Sequence, residues 1–485
     1  MSEQSLKQKT VKGVGWSAVD NVTKMGITFI VSIVLARLLS PDEYGLIGIL
    51  TIFISIFNAI VDSGFTAALI RKKDATDTDY STVFYVNLLM SILMAVALYL
   101  CARPIAIFFE REELVALTRV MSCVVVINAF SIVQKAITTK RIDFKTQTKI
   151  TFFSSLLSGI VGIAMAYGGY GVWALVGQQI SLQLLTTILF WIYNRWIPRF
   201  VFSIESFQEM WAFGWKLLLS GLLNTGYKET YQTIIGKCYS PATLGLYTRA
   251  KQFCDLCSTN LTTVVQRVSF PVLSTIQDDK VKLKEAYRHI IKTTMLVTFV
   301  LMLGLAACAK SLILVLIGEK WIEVVPLLQI ASTYGMLFPL HAINLNMLQV
   351  QGRSDLFLKL EILKIIVGIL PLLAGVFIGI YAMLWFCLLS NIIGCYLNAY
   401  YSGPFLKYSF VDQIKDILPA LGIALAMAFC VYIVNYFSLN PYATLAIQIT
   451  IGAIVTLVLC EITKLPEYVE IKNIVRPLLN KIINK

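Results

Sequence analysis

Charge and histidine are what this chain has least of. Of its 485 residues only 14% are Asp, Glu, Lys or Arg, and only two are His. So few polar groups cannot cover a water-soluble protein of this length. Neither histidine supports catalysis: His289 reads as a surface residue, and His341, beside Asn344 and Asn346, as a satisfied buried polar group. Ten cysteines are scattered through the apolar stretches, among them Cys101, Cys123, Cys308, Cys387, Cys395, Cys430 and Cys460, with no disulfide framework. Cys254 and Cys257 form a C-x-x-C inside a helical pattern, without a second pair or a nearby His, so no metal or redox centre is expected. The chain also lacks a large polar insertion. Its longest breaks, near Asn194 to Trp211 and Leu273 to His289, are too short for an extramembrane catalytic domain.

What the chain has is hydrocarbon: 57% apolar residues and a mean hydropathy of +0.74. A helix needs about 20 mostly apolar residues to cross a bilayer. Fourteen such stretches follow one another, near 13–38, 44–70, 80–102, 114–137, 148–168, 171–193, 212–236, 242–270, 290–317, 322–349, 356–378, 379–401, 413–436 and 442–463. The expected fold is therefore all-α, a polytopic membrane protein of about fourteen helices. The N-terminal lysines before the first stretch resemble a signal peptide, but Asp20 and Lys24 interrupt it and no small-residue cleavage site follows, so the first helix is expected to be retained.

The chain repeats itself. Gly15-Trp16 leading to Ser40-Pro41 and Gly45-Leu46 is matched by Gly214-Trp215 leading to Ser240-Pro241 and Gly245-Leu246, with a slip of one residue over the interval. Six crossings per copy, an even number, place both copies in the same sense in the membrane, a parallel repeat. The expected organisation is an N-lobe over 1–200, a C-lobe over 201–405, a further pair of helices over 406–463 and an amphipathic tail over 464–485 on the cytoplasmic surface. Two like halves in a membrane chain usually enclose a substrate path, which makes a transporter the leading expectation.

Lys and Arg gather at alternate loops: Lys7, Lys9 and Lys12; Arg71, Lys72 and Lys73; Lys140, Arg141, Lys145 and Lys149; Lys280, Lys282, Lys284 and Arg288. Each cluster follows an even number of crossings, which puts both termini in the cytoplasm. The same bias explains most of the +13 net charge. No basic stretch is interleaved with stacking aromatics in a domain of its own, so nucleic acid is not an expected partner; membrane lipids are.

Polar residues inside the apolar stretches carry the chemistry. The first stretch has Ser17, Asp20, Asn21, Lys24 and Thr28 on one face, and the second has Thr51, Ser55, Asn58, Asp62 and Thr66. The seventh has Lys216, Ser220, Asn224, Lys228 and Gln232, and the eighth Thr248, Gln252, Asp255, Thr259, Thr262 and Gln266. Helices three to six show no comparable stripe. Charge at mid-membrane is costly unless it faces water or a partner, so these four helices are expected to line an aqueous cavity between the halves. Asp20 with Lys24, and Lys228 beside Glu229, are alternatively ordinary ion pairs.

Lys24, Lys228, Arg249 and Lys251 suit a phosphate or pyrophosphate leaving bulk water. Asn21, Asn58, Asn224, Tyr227, Tyr231, Gln232 and Tyr247 suit sugar hydroxyls and rings. Asp20, Asp62, Glu229 and Asp255 are candidate sites for a coupling ion. No catalytic residue and no metal ligand is assigned.

The run Lys12-Gly13-Val14-Gly15-Trp16-Ser17, the stretch Leu35-Ala36-Arg37-Leu38-Leu39-Ser40-Pro41-Asp42-Glu43-Tyr44-Gly45-Leu46 and the segment Ile70-Arg71-Lys72-Lys73 resemble the polysaccharide transporter family. Within it they are similar to the Wzx-type flippases, close to the WzxC-like lipopolysaccharide, O-antigen or colanic acid exporters. Ser240-Pro241 through Gly245-Leu246-Tyr247 to Phe270-Pro271-Val272-Leu273-Ser274 resembles the same family's second half. The likeness runs over essentially the whole chain.

It implies membership of the multidrug/oligosaccharidyl-lipid/polysaccharide (MOP) superfamily, with fourteen helices in two six-helix lobes plus a final pair. It implies movement of an undecaprenyl-pyrophosphate-linked oligosaccharide from the cytoplasmic to the outer leaflet of the bacterial inner membrane by alternating access. It also implies a proton or sodium gradient in place of a cofactor, and polysaccharide polymerase or export machinery as partners. Three readings compete: a lipid II flippase of the same architecture, a drug exporter, which would usually have twelve helices, and a membrane glycosyltransferase, polymerase or ligase, which would need the positioned acid/base groups this chain does not display.

Overall fold

In hydrocarbon a backbone has no water to bond, so each apolar stretch must satisfy its own N–H and C=O groups, and helices do so within the segment. The computed structural model describes residues 3–62, 64–72, 74–437, 439–470 and 472–473. Every regular element among the described residues is helical. In order the α-helices are α1 (Glu3–Leu38), α2 (Pro41–Asp62), α3 (Phe65–Arg71), α4 (Asp77–Phe109), α5 (Glu113–Lys140), α6 (Phe144–Tyr167), α7 (Val172–Asn194), α8 (Ile204–Cys238), α9 (Pro241–Thr275), α10 (Lys280–Leu316), α11 (Val324–Gly335), α12 (Phe338–Val350), α13 (Ser354–Val367), α14 (Ile369–Phe377), α15 (Ile380–Leu406), α16 (Phe410–Ile433) and α17 (Pro441–Thr463), with short 3₁₀ helices at Glu319–Trp321 and Val434–Tyr436. The all-α polytopic expectation holds. Most of the tail expected over 464–485 lies outside the described residues.

Ten segments among the described residues are long and apolar enough to cross a membrane by themselves. The helices α8 and α9, at 35 residues each, are amply long but are not among the ten, because the polar stripes lower their hydropathy. Three expected spans are broken: the eleventh, which is α13 followed by α14 with Gly368 between them, the tenth and the second. The tenth is α11 followed by α12, with Pro339 at the start of the second piece, where its missing N–H costs nothing. The second is α2 followed by α3: helix ends at Asp62 and resumes at Phe65, with Gly64 at φ 70°. An ideal Cβ on Gly64 would stand 2.6 Å from the Gly214 carbonyl oxygen of α8, so both the left-handed backbone and the close approach require glycine there.

The chain divides into two compact units, Met1–Gly245 and Leu246–Lys485. In the first unit α4 packs on α5, α6 on α7, and α1 on α6, while α2 lies against α5 and α8. Its interior includes Phe65, Leu69, Phe84, Val133, Ile137 and Met210, with a second group around Val31, Leu35, Ala174 and Leu175. In the second unit α10 packs on α16, α11 and α17, and α15 on α12 and α14. Tyr287, Ile291, Met295, Phe299 and Met347 fill its core. Although α8 opens the second copy of the sequence repeat, it packs with α2, α3 and α4 in the first unit, where Phe207 and Trp211 meet Phe65.

The repeated Ser-Pro…Gly-Leu motif has a structural counterpart inside the first unit. The start of α2 meets the start of α9 backbone to backbone: Gly45 faces the Pro241 carbonyl, and Gly245 faces the Pro41 carbonyl. Each copy supplies the carbonyl that the other copy's glycine admits. Salt bridges Arg111–Asp42 and Lys237–Glu110 lie at neighbouring helix ends. Glu110, outside the helical spans, is held below the usual carboxylate range by the hydrogen bond from Lys237.

Candidate functional site

The break between α2 and α3 opens onto a cavity of about 600 Å³ inside the first unit. Three elements furnish its polar wall. From α2 come Ser55, Asn58 and Asp62, with Thr66 just past the break in α3; from α5 come Asn128, Ser131, Lys135 and Thr139; from α8 come Thr225, Lys228 and Glu229. Irregular backbone at membrane depth is tolerated where it is buried in protein or lines a cavity, and here it lines one. Asp62 ends its helix with its carboxylate accepting a hydrogen bond from the Thr66 hydroxyl.

The amides are fixed by one another. Asn128 donates through Nδ2 to Asn58 Oδ1 at 2.9 Å, and its own Oδ1 accepts from Gln183 Nε2 of α7 at 2.9 Å. Ser131 donates to the Asn128 backbone carbonyl at 2.8 Å. On α8, Gln232 Nε2 donates to Glu229 Oε2 at 2.7 Å, which orients that carboxylate. The wall therefore carries two cations, Lys135 and Lys228, two carboxylates and a band of neutral hydrogen-bonding groups. Such a surface can accept an anion at the ammonium groups and polyhydroxylated material along the amides.

Six residues singled out from the sequence thus come together here: Ser55, Asn58, Asp62, Thr66, Lys228 and Glu229. Others on α8 lie nearby along the same helix. The Tyr227 and Tyr231 rings meet edge to face at 6.1 Å, and Asn224 is exposed. On α1, Lys24 is exposed and Asp20 is half-buried, its Oδ1 without a hydrogen-bond partner among the described residues. The side chains of Ser17 and Asn21 lie outside the described residues.

The remaining candidates belong to the second unit. Tyr247 is buried, and Arg249, only 5% exposed, lays its guanidinium over Trp321 at 5.6 Å and donates to Gln252 Oε1. Lys251 pairs with Asp255 at 2.7 Å one helical turn away, which cancels most of the charge either would present. Cys254, of the C-x-x-C, is buried with its thiol directed to the Ala331 carbonyl oxygen at 3.4 Å. No group of three or more His, Cys, Asp or Glu among the described residues is placed to hold a metal ion.

One expectation is corrected. Helices three to six were expected to carry no polar stripe, yet α5, the fourth crossing, presents Asn128, Ser131, Lys135 and Thr139 to the cavity. These recur at intervals of three and four, the spacing of one helix face. The signal was present but diluted by Gln134 and Thr138, buried polar residues whose hydrogen bonds are made elsewhere: Gln134 to the Trp196 carbonyl beyond α7 and Thr138 within its own helix.

A helical membrane bundle whose broken helix frames a charged internal cavity is the build of a transporter rather than of an enzyme. The comparisons with known proteins agree. Residues 34–326 match the model of the family described as polysaccharide biosynthesis protein. The chain is 28% identical over 458 residues to the teichuronic acid biosynthesis protein TuaB of Bacillus subtilis, covering 93% of this chain and 95% of that one. It is 24% identical to the succinoglycan biosynthesis transport protein ExoT of Rhizobium meliloti, covering 95% and 94%. Among solved structures, the lipid II flippase MurJ in an inward closed conformation superposes with a TM-score of 0.75 at 16% identity, over 93% of this chain and 98% of that one. At that identity the likeness speaks for the fold. The chain belongs to the polysaccharide biosynthesis protein family.

Proposed function

We propose that this protein is a flippase for lipid-linked polysaccharide units, moving an undecaprenyl-pyrophosphate-linked oligosaccharide from the cytoplasmic to the outer leaflet of the bacterial inner membrane by alternating access, with both termini in the cytoplasm. The observation that carries this reading is the cavity in which Lys135 and Lys228 stand with Asn58, Asn128 and Ser131 among otherwise apolar helices. A diphosphate needs cations once it leaves water, and sugar hydroxyls need amide and hydroxyl partners. The lipid chain has no such need and stays in the bilayer.

Asp62 and Glu229 are the coupling groups in this proposal. Asp62 ends a half-helix, where the unpaired carbonyls of α2 and a carboxylate together favour a proton or sodium ion. Loading of that ion would lower the negative charge of the wall and so change its attraction for an anion, which links a gradient to transport. A polysaccharide polymerase or export complex is the expected consumer of the product. The family and the polysaccharide relatives favour this cargo over lipid II.

The test is leaflet exchange of a fluorescent lipid-linked oligosaccharide in vesicles containing the purified protein. Lys135→Gln and Lys228→Gln each remove one charged hydrogen bond, about 1.5–3 kcal/mol, or roughly a 10- to 100-fold loss in transport rate at low substrate. Unchanged rates in both variants would remove the diphosphate role. Lengthening of the oligosaccharide by the purified protein would replace the flippase with a polymerase.

A further inference from the structure

A second charged pocket lies at the end of the same unit's α3 and belongs to none of the preceding chemistry. It measures about 570 Å³ and is lined by Arg71, Lys72, Lys216 and Glu209 beside Met210 and Phe213. The Lys72 ammonium is already engaged, 2.8 Å from Glu209 and 3.0 Å from Asp79. The Glu209 hydrogen bond raises its pKa, with Asp79 adding to the effect, so Lys72 stays charged but neutralised in place. Arg71 and Lys216 form no ion pair among the described residues. Each rests instead near an aromatic ring, Arg71 over Phe213 at 4.4 Å and Lys216 by Trp215 at 5.9 Å.

The free carbonyls at the C-terminus of α3 would ordinarily repel an anion. Here Lys140 donates to the Leu69 carbonyl at 3.4 Å and to that of Lys72, which offsets them. The pocket is therefore a place with two uncommitted cations and no uncommitted anion lining it.

The pocket continues into a shallow trough through Ala212, which lines both. The trough, about 420 Å³, is formed by Phe207, Trp211 and Trp215. Phe207 and Trp211 stack at 6.1 Å, and the two tryptophans remain 41% and 43% exposed. Depth also follows from the sequence: Arg71 is the last residue of a membrane-capable segment and Asp77 the first of the next, so the pocket stands at headgroup level, where Trp and Arg concentrate.

We infer that this pocket is a binding site for an anionic phospholipid, its phosphate between Arg71 and Lys216 and one acyl chain along the Phe207, Trp211 and Trp215 trough. Two uncommitted cations match a phosphodiester, and the aromatic continuation distinguishes a lipid from a soluble phosphate. The site is separate from the transport cavity, and its occupancy is measurable without transport.

The experiment is native mass spectrometry of the full chain released from detergent in the presence of phosphatidylglycerol, phosphatidylcholine or glycerol 3-phosphate. The expected result is selective retention of phosphatidylglycerol, weakened roughly 30-fold in the Arg71→Gln, Lys216→Gln double variant and restored by Arg71→Lys, Lys216→Arg. Should the double variant fail to fold, the Trp211→Ala, Trp215→Ala variant reads the trough instead, with the same direction expected. Equal retention in the wild type and in whichever of these neutralised or truncated variants folds overturns the inference. So does glycerol 3-phosphate binding as tightly as the lipid, which would mark a soluble-phosphate site.

Discussion

Alanine at Gly45 would put a methyl carbon where another helix already has its backbone. An ideal Cβ there stands 1.7 Å from the Pro241 carbonyl oxygen and 2.3 Å from its carbon. A carbon and an oxygen rest comfortably at about 3.3 Å, so the starts of α2 and α9 must part by roughly 1.5 Å; no side chain can rotate out of the way, because the obstacle is main chain. Overpacking of this kind costs about 1–3 kcal/mol. The reciprocal change Gly245→Ala meets the Pro41 carbonyl oxygen at 2.0 Å and should cost a similar amount.

Both methyls open the same crossing, so the helices need to separate only once. The double variant should therefore be less destabilised than the sum of the singles, by about 1 kcal/mol or more. Gly226→Ala is the control, since no atom lies within 4 Å of its ideal Cβ and alanine is the better helix former by about 0.5–1 kcal/mol. The assay is denaturant unfolding of the purified protein in detergent, followed by tryptophan fluorescence. Single variants that unfold at the wild-type midpoint, or a double variant equal to the sum of the singles within about 0.5 kcal/mol, would refute the reciprocal crossing.

Other outcomes follow from the site and the caps. Lys135→Gln should lower transport as much as Lys228→Gln while leaving the unfolding midpoint within about 0.5 kcal/mol of wild type; a loss confined to Lys228 would mean that α5 does not contribute to cargo binding. Asn128→Leu deprives Gln183 of an acceptor and Asn58 of a donor, and should destabilise the first unit by about 1–3 kcal/mol, read as an earlier unfolding midpoint; no shift would show that those amides find water instead. Asp279, whose carboxylate accepts from the Val281 and Lys282 amides at 3.1 Å, is held below its ordinary value mainly by the Lys282 backbone hydrogen bond. Its contribution is complete above the unfolded-state value of about 4 and is lost as pH falls through the lowered folded-state value. Amide exchange at Val281 and Lys282 should accelerate in Asp279→Ala at neutral pH and match wild type once the carboxylate is protonated; a difference that persists in acid would assign the protection to packing.

Composition and periodicity determined the solvent, the helices and the duplication, and the motif residues carried the family resemblance, because each depends on residue order along one segment: enough apolar residues in a row must be helical in lipid, and a repeated motif is visible wherever it recurs. They also marked Asn58, Asp62, Lys228 and Glu229, since a charge inside an apolar helix is conspicuous without any neighbour. Only tertiary structure decided which of the marked residues share a wall. Lys251 is committed to Asp255, and Arg249 is buried against Trp321, which lies in a different element. Lys135 joins the cavity because α5 happens to turn that face toward α2 and α8. The break at Gly64 and the placement of α8 against the first unit likewise depend on contacts far apart in sequence, where one glycine carbonyl at Gly214 sets how closely two helices pass. Local pattern fixes what a segment is; the partner that covers each face is a property of the packed whole.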